Sequence, residues 1–197
     1  MIAGLILAAG ESRRMGRDKA LLTYHGRTFL ESIINNLGAA GIGKVTVVLG
    51  HHAETIERAV NLAAVRVVVN RDYQWGQTSS LQTGLAAAAA DSPEAVILCL
   101  VDHPAISTEV IAKLIERFEL TRPPVLIPTY KGQRGHPALI NQTLFPELLA
   151  LPSGEAANAV IRKYRDVTQF VEVTDPGILL DVDDPDTYER LAEGSKK

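Results

Sequence analysis

Seven consecutive apolar residues, AVILCLV at 95–101, stand between polar flanks and run directly into Asp102. Seven residues make too short a helix to be apolar all round, whereas an extended segment of this kind hides both faces inside a sheet that is covered on both sides. Such sheets are built of parallel strands, because a parallel pair needs a crossover long enough to carry a helix. The rest of the 197-residue chain repeats that pattern. Strands are expected at residues 2–7, 44–50, 65–70, 124–128, 169–173 and 178–182. Helices are expected from the Thr28–Glu31 capping box to about Gly41, over 54–62, through the alanines to Ala90, over 108–120, after a Ser153 cap, and from Pro185 onward. The predicted fold is α/β: one domain over residues 1–197, with a doubly wound, mostly parallel sheet and helices on both faces.

The first strand feeds into LAAGESRRMGRDK at 7–19. Small residues at Ala8, Ala9 and Gly10 let the backbone approach a ligand closely, and Arg13, Arg14, Arg17 and Lys19 supply positive charge. This is the composition of an anion cradle; a solvated basic turn is the plainer alternative. A Walker A loop is excluded, since five residues rather than four separate Gly10 from Gly16 and Arg17-Asp18 follows the second glycine. The dinucleotide fingerprint is excluded as well, because Glu11 and Ser12 follow Gly10.

The pattern L-A-A-G-x-S-x-R-M-G-x-x-K is present without mismatch, and through it the chain resembles the MobA-like nucleotidyltransferases, most closely their molybdopterin cytidylyltransferase branch. That resemblance implies a Rossmann-like nucleotide-diphospho-sugar transferase fold. It implies that Leu7, Ala8, Ala9 and Gly10 wrap the nucleotide, that Arg14 holds the outer phosphates, and that Lys19 sits at the reacting α-phosphate. GQTSSL at 76–81 resembles the cytidylyl branch and makes Gln77, Ser79 and Ser80 base or ribose contacts, although Ser79 or Ser80 is explained equally by helix capping. DHP at 102–104 matches a D-x-P motif whose aspartate binds magnesium. By residue type alone Asp102 could equally cap a helix or pair with a base. The second magnesium ligand carries over to Asp183 in DVDDPD, with Asp181 as the alternative. GHPALI resembles an acceptor-side signature and points to Gly135, His136 and Pro137. The segment SGEAANA departs from the branch pattern G-D-x-G-A-R, which leaves the acceptor open.

The implied reaction moves CMP from CTP to molybdopterin with release of pyrophosphate, using Mg2+, and a molybdoenzyme would receive the finished cofactor. Sugar 1-phosphates, methylerythritol phosphate and phospholactate are alternative acceptors, and a non-catalytic nucleotide-binding maturation chaperone is the alternative of another class. An oxidoreductase is disfavoured by the missing dinucleotide glycines. A net charge of −3 argues against nucleic acid as a partner. No apolar run approaches the roughly 20 residues needed to cross a bilayer. The single cysteine, Cys99, lies in the apolar run as a core residue rather than a nucleophile. A cytoplasmic location is therefore expected. His51 and His52 are expected in a loop beside the site, and residues 194–197 as a frayed tail.

Overall fold

The structure, a computed structural model, describes residues 1–152 and 154–194. The expected Ser153 cap and residues 195–197 lie outside them. The chain opens with β1 (Ile2–Ala8), the basic loop and a ribbon of β2 (Thr23–Tyr24) and β3 (Arg27–Thr28), then enters α1 (Phe29–Ala39). Next come β4 (Val45–Leu49), α2 (Ala53–Ala59), β5 (Arg66–Val69), α3 (Gln77–Ala88), β6 (Ala95–Leu100) and α4 (Thr108–Thr121). The remainder is β7 (Val125–Tyr130), β8 (Gln133–Arg134), β9 (Ala138–Asn141), α5 (Phe145–Leu149), α6 (Asn158–Lys163), β10 (Gln169–Glu172) and α7 (Pro185–Gly194). Gly194, expected in a frayed tail, closes that last helix.

One sheet runs β10-β7-β9-β6-β1-β4-β5, with β8 beside β7. Strands β6, β1, β4 and β5 are parallel, as the buried apolar run requires, and β10 lies parallel to β7. β9 is antiparallel to both neighbours. The local cause is the two-residue turn between β7 and β8, where Lys131 and Gly132 both take positive φ, 50° and 76°, a hairpin geometry that reverses the chain.

Period-two alternation distributes the core. From β1, Ile6 and Ala8 face α1, α2 and α4, and Ala3, Leu5 and Leu7 face α3, α5 and α6. Helix α3 approaches the sheet closely at Gly84, where an added methyl group would overlap Leu5 and stand 2.7 Å from Val48 Cγ2. The Thr28 capping box starts α1 as expected, with the Thr28 hydroxyl accepting from Glu31 N–H and the Glu31 carboxylate accepting from Thr28 N–H. Cys99 is fully buried, and burial raises its thiol pKa to about 12.

Residues 178–182 are not the expected strand. Asp175 accepts from Gly177 N–H at 2.7 Å and Pro176 restricts the backbone, so the chain makes a 3-10 turn over Pro176–Leu179 before extending without a ladder partner. Asp184, one of the two expected caps, does cap α7, accepting from Thr187 N–H at 2.8 Å.

Candidate active site

The loop after β1 is fastened from within. Ser12 takes a positive φ of 50°, and its carbonyl accepts from Met15 and Gly16 N–H at 3.0 and 3.1 Å. Its hydroxyl accepts from the Lys19 backbone N–H at 3.1 Å. Met15 is buried with Leu22, Phe29 and Val182, and Gly16, at φ 67°, reverses the chain. The spacing S-x-x-M-G-x-x-K thus has mechanical content: a hydroxyl tie, an apolar anchor and a reversal deliver Lys19 to a defined place.

Backbone hydrogen bonds stitch the neighbouring loops to this one. Val101 N–H donates to Leu7 O at 3.1 Å, and His51 N–H donates to Ala9 O at 3.1 Å. Val182 N–H donates to Asp102 O at 2.9 Å, which ties the two acidic motifs together. Val182 itself is fully buried, so the extended chain turns Asp181 and Asp183 away from the core on either side of it.

Charge is concentrated where these loops meet. Lys19 Nζ lies 2.6 Å from Asp183 Oδ1 and 3.3 Å from Asp102 Oδ2, with its side chain only 10% exposed. The Arg14 guanidinium donates to Asp183 Oδ2 at 2.6 Å. Hydrogen bonding from Lys19, reinforced by Arg14, holds the Asp183 carboxyl below the usual carboxylate range. Asp181 is shifted the other way: the protein packed around it and the charges of Asp102 and Asp183 raise its pKa, although the residue keeps a solvent-exposed edge. The carboxylates of Asp102 and Asp181 and a ring nitrogen of His103 lie within 4.8 Å of one another. Asp102 Oδ1 is buried with no hydrogen-bond partner.

A cleft of about 480 Å³ opens beside this cluster. Leu7, Ala8, Ala9 and Gly10 form one wall, Gln77 and Ser80 face them from α3, and Arg14, Lys19, Asp102 and Asp183 line the charged end. Three other predicted residues, Gly135, His136 and Pro137, are not part of that lining. They stand behind Asp102 instead, with the His136 ring 4.5 Å from that of His103, its backbone N–H donating to Ile178 O, and a cis peptide to Pro137. Gly135 fits there because any Cβ would overlap the Ile178 carbonyl. Burial lowers the pKa of both imidazoles, that of His136 to about 4.

Neither Ser79 nor Ser80 caps a helix. Gly76 takes the cap position at φ 97°, which moves both serines into the first turn of α3. The side-chain amide of buried Asn70 donates to both hydroxyls, at 2.9 and 3.0 Å. Ser79 lines a smaller neighbouring cavity of about 170 Å³ together with Trp75 and Gln82. His51 and His52 do lie in the loop between β4 and α2, their rings 3.7 Å apart, with His52 facing Asp18 and His51 facing the Tyr73 hydroxyl. Sequence reasoning missed the grouping of His103 with Asp102 and Asp181 and the anchoring role of Met15. The alternation Asp181-Val182-Asp183 signals only that the two carboxylates share a face of an extended chain, not what that face meets.

A protein-family model, the MobA-like NTP transferase domain, matches residues 4–167. The chain belongs to the MobA-like NTP transferase family. As a family member it is a nucleotidyltransferase by type, built on the sheet described above. It is 32% identical over 199 residues to nicotine blue oxidoreductase of Paenarthrobacter nicotinovorans, covering 96% of each chain. It is 26% identical over 185 residues to the molybdenum cofactor cytidylyltransferase of Escherichia coli K12, covering 93% of this chain and 92% of that one. Among solved structures it is similar to Rv0371c of Mycobacterium tuberculosis H37Rv, with a TM-score of 0.86 and 29% identity over 98% of this chain and 97% of that one. A manganese complex of Rv0371c superposes with a TM-score of 0.78 at 26% identity, covering 98% of each chain. Among the described residues no helix is long and apolar enough to cross a membrane.

Proposed function

We propose that this MobA-like protein transfers CMP from CTP to the phosphate of molybdopterin and releases pyrophosphate. The observation that carries the reading is the meeting of Arg14, Lys19, Asp102 and Asp183 at one end of a cleft walled by the Leu7–Gly10 backbone. The relative named as a molybdenum cofactor cytidylyltransferase supports the choice of nucleotide and acceptor.

In this mechanism an oxygen of the acceptor phosphate attacks the α-phosphorus while the bond to the β-phosphate oxygen breaks in line. Such chemistry asks for positioning and charge stabilisation rather than a protein nucleophile. The backbone of residues 8–10 and the Arg14 guanidinium hold the departing pyrophosphate. Lys19 neutralises charge at the α-phosphate. Gln77 and Ser80 face the base or ribose across the cleft, while Ser79 holds Asn70 and the start of α3 in place.

The donor set fits a divalent cation. Asp102 Oδ1 is buried without a partner, an arrangement that a cation would relieve, and hard carboxylate oxygens suit Mg2+. Asp102 would hold it with Asp181 or Asp183. The geometry favours Asp181, because Asp183 is already neutralised by Lys19 and Arg14. When bound, the ion supplies charge neutralisation for the phosphates. Lys19 and Arg14 can then turn from their carboxylates to phosphate oxygens without leaving negative charge uncompensated. The GHP segment, behind Asp102, supports that end of the cleft on the acceptor side.

The test is pyrophosphate release from each of the four nucleoside triphosphates with Mg2+, with and without molybdopterin. Release that needs both CTP and molybdopterin is expected. The identity to nicotine blue oxidoreductase favours a second reading, an oxidoreductase acting on a small organic molecule. Redox turnover of such a molecule without pyrophosphate release would replace the first reading with the second.

A further inference from the structure

His103 has no part in the transfer mechanism. It is 7% exposed, follows Asp102 in a tight turn closed by its own N–H donating to Leu100 O, and its Nδ1 is buried with no hydrogen-bond partner. Its Nε2 lies 3.9 Å from Asp102 Oδ1, too far for a hydrogen bond. That carboxylate oxygen is likewise buried and unpartnered. An orphaned carboxylate oxygen facing a ring nitrogen, Nε2, across this gap is costly as it stands, and it is satisfied if one cation lies between the two. Asp181 brings a third donor atom to the same spot, all three within 4.8 Å of one another. The other oxygen of Asp102, Oδ2, belongs to Lys19, so the aspartate serves the ammonium on one side and the histidine on the other.

Resting on the nucleotidyl-transfer reading, we infer that His103 is a nitrogen ligand to the cation held by Asp102 and Asp181, and that the site therefore selects a transition-metal ion such as Mn2+ over Mg2+. Magnesium takes oxygen ligands and parts reluctantly with its water. Imidazole nitrogen is a ligand of the later divalent metals, and it adds affinity along the series from Mn2+ onward while adding little for Mg2+. The ring is braced, because the His136 ring lies 4.5 Å away at a tilt of 42° and Gly135 is wedged against Ile178. A buried, braced imidazole keeps its orientation whether or not a nucleotide is present.

The experiment reads metal binding without turnover. Mn2+ is added to the nucleotide-free protein in a buffer lacking nitrogen ligands, and bound ion is followed by electron paramagnetic resonance with electron spin-echo detection. Nitrogen-14 modulation from a directly bound imidazole is expected. Labelling all histidines with nitrogen-15 should change its frequency without altering the protein. His103→Leu should abolish the modulation and weaken Mn2+ binding about tenfold or more, in line with the losses seen when a metal's supporting groups are removed, while changing Mg2+ affinity little. His51→Leu, in the loop between β4 and α2 and outside the group of three donors, should leave the signal intact. Binding without nitrogen modulation, or no binding, would overturn the inference, whether or not His103→Leu folds, because the isotope experiment uses the unaltered sequence. Nitrogen modulation without pyrophosphate release from any triphosphate would sink the transfer reading and leave the metal site standing. Release with Mg2+ and no nitrogen modulation would do the reverse.

Discussion

Lys19 Nζ and Asp183 Oδ1 stand 2.6 Å apart, joining the loop after β1 to the segment before α7 across 164 residues of sequence. The pair is flanked by Asp102 on one side and Arg14 on the other, so two cations and two carboxylates balance one another before any substrate arrives. The consequence is that neither cation can serve a phosphate without a change of partner.

Lys19→Ala is therefore expected to lower turnover on the order of 100-fold or more, the scale of losing one preorganised donor to transition-state charge. Steady-state pyrophosphate release at saturating substrates checks this, with circular dichroism to confirm that the fold is kept. Undiminished turnover would remove Lys19 from the reacting centre.

Nucleotide and divalent cation should bind with positive coupling. Calorimetric titration of CTP should give affinity at least about fivefold higher with the cation present than with a chelator, at the lower end of ordinary coupling energies. Asp181→Asn should erase most of that coupling. Asp183→Asn, which frees Lys19 and Arg14 from their carboxylate, should instead raise cation-free affinity for CTP.

Met15→Ala removes the buried anchor of the loop. A loss of about 2 kcal/mol or more in denaturant unfolding is expected from truncating a buried methionine. Weaker CTP binding should accompany it, since Met15 shares its pocket with Val182, between the two carboxylates. A stability loss with unchanged CTP affinity would separate the anchor from the site.

Gly84→Ala would place a methyl against Leu5 and Val48, both fully buried, and should cost roughly 1–3 kcal/mol, the usual penalty for overpacking. Thermal unfolding measures it. Catalysis should be affected little, since Gly84 lies one turn beyond the cleft residue Ser80 in α3.

Acid should act partly through Glu172. Its carboxylate accepts from the Thr129 hydroxyl at 2.6 Å and from Lys131 N–H at 2.8 Å, and these bonds hold its pKa below the usual glutamate range. A depressed carboxylate contributes stability that is fully present above the unfolded pKa and lost as pH falls through the folded one. Between pH 5 and pH 3 the unaltered protein should thus lose more stability than Glu172→Gln, measured by chemical denaturation at each pH.

Much of this was legible in the residues. The run at 95–101 required a parallel, doubly covered sheet, and the pattern of the basic loop pointed to the family and, through it, to Arg14 and Lys19, which meet Asp183 in the structure. Ser79 and Ser80 show why other parts were not legible. As capping residue types they were indistinguishable from ligands, and only the positive φ of Gly76 moved the helix start and freed them for Asn70. The reversed strand β9 was hidden because a Lys131-Gly132 turn between short apolar runs reads as a loop until its φ values are seen. The grouping of His103 with Asp181 depends on a backbone bond between residues 80 apart, and no local pattern reports that.

That bond, from Val182 N–H to Asp102 O, also sets an order of assembly. Every strand of the sheet precedes residue 173, whereas both carboxylates flanking Val182 follow it. During synthesis, which proceeds from the N-terminus with domains folding as they emerge, the cleft can take shape before Asp181 and Asp183 are supplied. A chain still on the ribosome would therefore carry a basic loop in which Lys19 faces Asp102 alone and Arg14 has not yet met Asp183. The docking of one short segment turns an anion trap into a balanced site.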